Sequence, residues 1–395
     1  MARSEEPESV PGGAAGHPAR YALFYGALFL TLGIYVPFWP LWLTGRELSP
    51  EQIGLVLALT AWLRVPGNPL LALIADRRGS TRGVLLVLAV AGFTGFFAFT
   101  LVRGVWPILT ISLIAATALH ALVPLAESQT MVAARRGGLD YGRVRLWGSL
   151  AFIAGTVGAG RLLSGRDPEL VLILVLGALA TIVIAAAVLP DVRRPTHPHL
   201  FRGLGMLLSQ RRFVLFFGAA TLLQSSHAVY YAFSAVYWSA AGHSEVVIGG
   251  LWAEGVVAEI ALFAFGTPLL ARTGPVGLMI LAGAAGLVRW SVLGTTTWLP
   301  ALALAQILHA ATFAAAHLGA MHFIARHAPP GVSATVQAVY AALAGGLATG
   351  FFFLVGGSLY QALAGGAFYV MSATSAAGLI LALALLAHLR RLDVR

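Results

Sequence analysis

The chain has no cysteine and no lysine, and only 10% of its 395 residues are charged. Without cysteine there is no disulfide framework, no thiolate metal site and no thiol nucleophile, and sulfur says nothing about the redox compartment. A soluble globular domain carries roughly 25% charged residues. The scarcity of charge, set beside 58% hydrophobic residues, therefore excludes a water-soluble fold. With lysine missing, all 25 basic residues are arginine, and the formal net charge is +10. A basic excess of that size is compatible with nucleic-acid binding, but the placement of these arginines gives them another use.

What the chain has in quantity is long apolar runs. They occur at about 21–44, 52–75, 83–102, 105–132, 144–164 and 169–189, and again at about 213–240, 246–271, 276–295, 298–325, 334–361 and 366–388. Each has the length needed to cross a bilayer as a helix, about 20 residues. They are too long and continuous for the alternating strands of a membrane barrel. The fold class expected is therefore an all-α membrane protein with twelve transmembrane helices.

Numbered in order, the even connections and both ends hold most of the arginines, among them Arg3, Arg77, Arg78, Arg82, Arg135, Arg136, Arg143, Arg193, Arg194, Arg202, Arg326, Arg390, Arg391 and Arg395. Only Arg46, Arg103, Arg161 and Arg166 fall on the other side. Positive charge retained inside then puts both termini in the cytoplasm of an inner-membrane, multi-pass protein. Residues 1–20 are polar, have no apolar core of a signal peptide and read as a disordered cytoplasmic tail. The Pro- and Arg-rich stretch 191–212 reads as a cytoplasmic loop joining an N-terminal half, 21–190, to a C-terminal half, 213–395, that ends in a short cytoplasmic tail.

The halves share a repeat. Gly67-Asn68-Pro69-Leu70-Leu71-Ala72 closes the second run and Gly266-Thr267-Pro268-Leu269-Leu270-Ala271 the eighth, six spans later. A parallel repeat of this kind predicts two pseudo-symmetric six-helix bundles with a substrate cavity between them.

The informative residues are those that do not belong in lipid. A charge near the bilayer centre costs about 2.5 kcal/mol or more, so it faces a cavity or a partner. Arg64, Glu254, Glu259 and Arg289 are so placed, with Glu127 nearer the end of its run. Glu259, Arg289 and His309 fall near the middle of the eighth, ninth and tenth runs. A carboxylate desolvated at that depth holds a proton more readily than in water, and an adjacent arginine favours release. Arg64 and Arg289 also admit a bland use, tying helices together through backbone carbonyls or an acidic partner. His120, His227, His309, His317 and His322 lie within apolar runs as candidate relays or hydrogen-bond donors. His120 and Glu127, seven residues apart, share a helix face that is expected to line the cavity. No pair of histidines has zinc-ligand spacing with a supporting carboxylate, so no metal is expected. Aromatic residues gather at Tyr35–Trp39 and Tyr230–Trp238, in equivalent spans of the two halves.

These residues carry a resemblance. Asp76-Arg77-Arg78-Gly79-Ser80-Thr81-Arg82 resembles the loop after the second helix of the major facilitator superfamily, where it gates the conformational change. Asp140 to Ser149 resembles the fifth-helix entrance of its proton-symporter branch, which includes the lactose permease and the 3-phenylpropionate:proton symporters. The likeness to the latter covers nearly the whole chain and is strongest at Ser226–Tyr231, Gly255–Glu259, Val288–Trp290 and Gln306–His309. It implies a proton-coupled importer of a small organic anion such as an aromatic carboxylate, working as a monomer in membrane lipid without a cofactor and without nucleic acid. Arg64, Glu127, Arg145, His227 and Tyr230 are then expected at the substrate. Glu259, Arg289 and His309 are expected at the proton site, and Asp76, Arg77, Gly79 and Arg82 in the gating loop. Thr312 stands where the lactose permease has its tenth-helix glutamate, so Glu259 becomes the expected replacement. Two readings compete: a proton-driven exporter of amphipathic compounds, and a non-transporting sensor or assembly factor on the same scaffold. An enzyme is not expected, since no nucleophile with an adjacent base and no phosphate-binding loop is present.

Overall fold

The computed structural model describes residues 17–135, 139–191, 204–329 and 332–393. The expected tail up to residue 16, Arg136, Arg395 and the linker segment 192–203 with Arg193, Arg194 and Arg202 lie outside the described residues. The described residues form helices and no strand. In the N-terminal half the spanning helices are α1 Pro18–Gly45, α2 Pro50–Arg78, α3 Thr81–Leu101, α4 Val105–Arg135, α5 Tyr141–Leu163 and α6 Glu169–Val188. In the C-terminal half they are α7 Arg211–Ala240, α8 Glu245–Phe265, α9 Thr267–Thr295 and α10 Leu299–His327. Next, α11 runs from Ser333–Ala341 through a π turn at Ala342–Ala348 into Thr349–Leu363, and α12 is Ala367–Asp393. The fold is thus an all-α membrane bundle of twelve spans in two halves. The region read as a plain loop also contains a short helix, Leu204–Ser209.

The helix ends follow from local chemistry. Ser49 opens α2 with a capping box, its Oγ accepting from the Gln52 amide at 3.3 Å while Gln52 Oε1 accepts from the Ser49 amide at 2.9 Å. Gly79 closes α2 in the left-handed region, φ 63°, which a residue with Cβ enters at a cost. Asp140 caps α5 through the Arg143 amide. Proline at 37 and 40 does not interrupt α1.

Three local departures matter. First, α7 is broken at Ser226–His227 between Arg211–Ser225 and Ala228–Ala240. Second, the run expected to continue from 246 to 271 is interrupted at Gly266. The helix resumes at Thr267 and is broken again by Gly274, with φ 69° and ψ 174°. Third, α10 contains a π turn at Ala310–Ala315, as α11 does at Ala342–Ala348.

Two pairs of helices carry most of the packing between the halves, α2 against α11 and α5 against α8. A six-helix repeat maps α2 onto α8 and α5 onto α11, so each pair is the image of the other. Both pairs close at the arginine-poor end on glycine. A Cβ on Gly54 would stand 2.6 Å from the Phe353 carbonyl oxygen, and one on Gly357 2.6 Å from that of Pro50. Gly160 and Gly249 meet the Glu245 and Thr156 carbonyls in the same manner. Small residues allow such close backbone approach.

The arginine-poor end is also pinned within the N-terminal half. Arg46, just past α1, binds both carboxylate oxygens of Glu169 at the start of α6, donates to the Val102 carbonyl at 2.8 Å and lies over the Trp42 ring at 4.9 Å. Trp42 donates to the same carboxylate at 3.3 Å and stacks on Trp39 at 4.3 Å between ring centroids.

Candidate functional site

Between the halves lies a cavity of about 430 Å³. From the N-terminal half α1 supplies Phe29, Tyr35 and Trp39, α2 supplies Arg64, α4 supplies His120, and α5 supplies Arg145 and Phe152. From the other half come Tyr230 and Tyr231 of α7, Trp252 and Glu259 of α8, His309 and Phe313 of α10, and Gly345 of α11. Apolar rings dominate the wall, and a few charged groups stand out from it.

The C-terminal wall holds a connected polar network. Arg289 of α9 is fully buried behind Tyr230 and His309. Its guanidinium donates to His309 Nδ1 at 3.0 Å, to Thr312 Oγ1 at 3.0 Å and to Gln306 Oε1 at 2.9 Å. It also lies 4.6 Å from the Tyr230 ring centroid and 4.5 Å from that of Trp290. No carboxylate stands within ion-pair distance of it among the described residues. Neutral acceptors and ring faces therefore solvate this charge.

An arginine has donors only, so His309 Nδ1 must be the accepting nitrogen and its proton must sit on Nε2. That nitrogen points to Glu259 Oε2, 3.6 Å away, which is contact distance and longer than a hydrogen bond. His227 is fully buried one layer deeper, with Nε2 at 3.1 Å from Thr312 Oγ1 and Nδ1 at 3.1 Å from the Gln224 carbonyl. Thr312 and Phe313, three and four residues past His309, lie within the π turn of α10.

The N-terminal wall is differently built. Arg145 lies over the Phe29 ring at 4.1 Å and donates to Ser149 at 3.3 Å. Arg64 reaches across to the other half, where its Nη2 meets the Gly345 carbonyl at 3.4 Å, while its Nε is buried without a partner. Neither forms an ion pair among the described residues.

Of the residues singled out in the sequence, Arg64, Arg145, Tyr230, Glu259 and His309 thus meet at one cavity. Arg289 and His227 stand directly behind its wall. Glu127 does not line it, although it lies within electrostatic reach of Arg145; of the polar face on α4 only His120 is exposed to the space. Asp76, Arg77, Gly79 and Arg82 lie apart from the cavity, at the arginine-rich end, where the Arg82 amide meets the Asp191 carboxylate at the end of α6 at 3.4 Å. Tyr35 and Tyr231 belong to the aromatic clusters singled out in the sequence, whereas sequence reasoning did not assign a site role to Trp252, Gln306 or Thr312. For Gln306 the signal was present, since it opens the matched stretch that ends at His309.

A family model described as the MFS_1 like family matches residues 19–371. The chain belongs to that family. It is a membrane transporter of the major facilitator type and not an enzyme. Among its relatives, the "Probable 3-phenylpropionic acid transporter" of Escherichia coli (strain K12) is 35% identical over 354 residues, 89% of this chain and 93% of that protein. The maltose permease of Geobacillus stearothermophilus is 27% identical over 388 residues, 96% and 97% of the two chains. A crystal structure of the nucleoside transporter NupG superposes with a TM-score of 0.81 at 16% identity, covering 94% of this chain and 98% of that one. At that identity the likeness speaks for the fold of this MFS_1-like transporter alone.

Proposed function

We propose that this transporter imports a small organic anion, an aromatic carboxylate of the 3-phenylpropionate type, together with protons by alternating access. The observation that carries the reading is the division of labour across one cavity. Two guanidiniums without a carboxylate partner among the described residues line one wall, a Glu259–His309 pair lines the other, and aromatic rings fill the space between. The guanidiniums suit a carboxylate and the rings suit a phenyl group. The tautomer of His309 leaves it a donor toward Glu259, so Glu259 is the group that takes up the proton. The printed name of the Escherichia coli relative points to the same substrate class.

With the arginine-rich end in the cytoplasm, the end closed by the glycine contacts faces outward. The test uses reconstituted vesicles with 3-phenylpropionate and an imposed proton gradient. The parent protein accumulates the acid; Glu259→Gln loses uphill accumulation but still exchanges labelled for unlabelled acid. Absence of gradient-driven uptake by the parent sinks the function, and full accumulation by Glu259→Gln sinks the assignment of the proton site.

A further inference from the structure

The two cavity arginines are not equivalent. Arg145 already has a ring face beneath it and a hydroxyl beside it. Arg64 has a single hydrogen bond among the described residues, and a poor one. At 3.4 Å its contact with the Gly345 carbonyl is near the limit of a hydrogen bond, whose usual N···O distance is about 2.9–3.0 Å, and its Nε has no acceptor at all.

Around Arg64 the N-terminal wall offers two more polar groups. Tyr35 and His120 both line the cavity, their rings meet edge to face at 5.8 Å, and both lie within electrostatic reach of the guanidinium. No hydrogen bond to another described residue occupies the Tyr35 hydroxyl or the His120 nitrogens. A cation with an unused donor, a hydroxyl and an imidazole facing one space make a site for a carboxylate.

We propose that the carboxylate of the transported anion binds Arg64, flanked by Tyr35 and His120, and in doing so displaces the Gly345 carbonyl that ties α2 to α11 across the two halves. The proposal rests on the anion-transport reading and deepens it. A carboxylate brings a full opposite charge and two oxygens that can take paired guanidinium N–H bonds at about 2.7–2.9 Å, so it outcompetes a single carbonyl held at 3.4 Å. Gly345 belongs to the π turn of α11, whose Leu347 carbonyl takes the Trp62 indole at 3.1 Å. Once Arg64 turns to the substrate, the Trp62 bond is what remains of this polar tie, and binding is linked to the contact between the halves.

Binding of 3-phenylpropionate and of its neutral amide is measured by calorimetry on the purified full-length protein. The parent binds the acid at least about tenfold tighter than the amide, the equivalent of one charge-assisted bond. Arg64→Gln removes that preference, and His120→Phe narrows it. Arg103→Gln, outside the cavity, leaves it in place. No acid binding by the parent overturns the anion-transport reading itself. Acid preference retained in Arg64→Gln overturns only the present proposal. The tie is read by spin labels on Ile74→Cys and Ala334→Cys, at the arginine-rich ends of α2 and α11. The acid changes their distance distribution in the parent and not in Arg64→Gln; a parent distribution that ignores saturating acid overturns the displacement of Gly345.

Discussion

Gly54→Ala is the most direct probe of the sealed end. The added methyl would sit 2.6 Å from the Phe353 carbonyl oxygen and 3.0 Å from the Gly357 Cα, whereas ordinary contact begins at 3.4 Å. Both obstacles are backbone, so no side chain can swing aside; α2 and α11 must part by about 0.8 Å. Overpacking of this kind costs about 1–3 kcal/mol. The cost falls on the state in which these helices touch and not on a state in which they are apart. The conformational equilibrium therefore moves toward opening at the arginine-poor end by roughly 5- to 150-fold. Alanine also favours helix over glycine by up to about 1 kcal/mol, so the variant folds. The chain has no native cysteine, which allows a clean assay: Leu57→Cys on the cavity wall is labelled in intact cells by a membrane-impermeant maleimide. The labelling rate should rise in Gly54→Ala and stay constant in Gly26→Ala, where nothing lies within 4 Å of the added carbon. An unchanged rate in Gly54→Ala would refute the idea that this contact sets the equilibrium.

Arg46→Ala removes the bonds to Glu169 and Val102; because the Glu169 side chain is 41% exposed and water replaces part of the loss, a destabilisation of about 1.5–3 kcal/mol is expected as a lower melting temperature, and an unchanged one would show the cluster to be ornamental. Arg289→Leu leaves His309 Nδ1 without its donor and Gln306 Oε1 with only the Tyr230 hydroxyl, so it should melt well below the parent, and equal stability would mean that the network contributes nothing net. A reporter fused after Arg391 should be cytoplasmic; an external signal contradicts the orientation inferred from the arginines.

The spans were legible because lipid imposes length and apolarity on every one of them, and these survive in a single sequence. The repeat at Gly67–Ala72 and Gly266–Ala271 was also visible, but its two copies differ in local structure. In α2 the helix continues past it to Arg78, while the C-terminal copy stands in its own stretch between the breaks at Gly266 and Gly274. Depth along a helix could be counted, which brought Glu259, Arg289 and His309 to one level. Rotation about the helix axis could not, and it decides that His309 lines the cavity while Arg289 stands behind it. The π turns and the break at His227 shift the register of residues beyond them, so an ideal 3.6-residue wheel misplaces those side chains. Glu127 shares a face with His120 on α4 and still misses the cavity, since it lies two turns further along.

The π turns divide the halves in a further way. Both occur in the C-terminal half, and the equivalent α4 and α5 are plain α-helices. A π turn holds one residue more than the helix around it needs. Letting that residue migrate along the helix turns the intervening segment by about 100° while leaving both ends anchored. Side chains such as Thr312 and Phe313 can thereby exchange places at the wall without any tilt of α10. The cavity arginines of the N-terminal half sit on helices with no such slack, so their side chains can turn but the backbone beneath them shifts only when that whole bundle moves. The cavity thus has one wall built as a solid block and one that can be re-threaded from within.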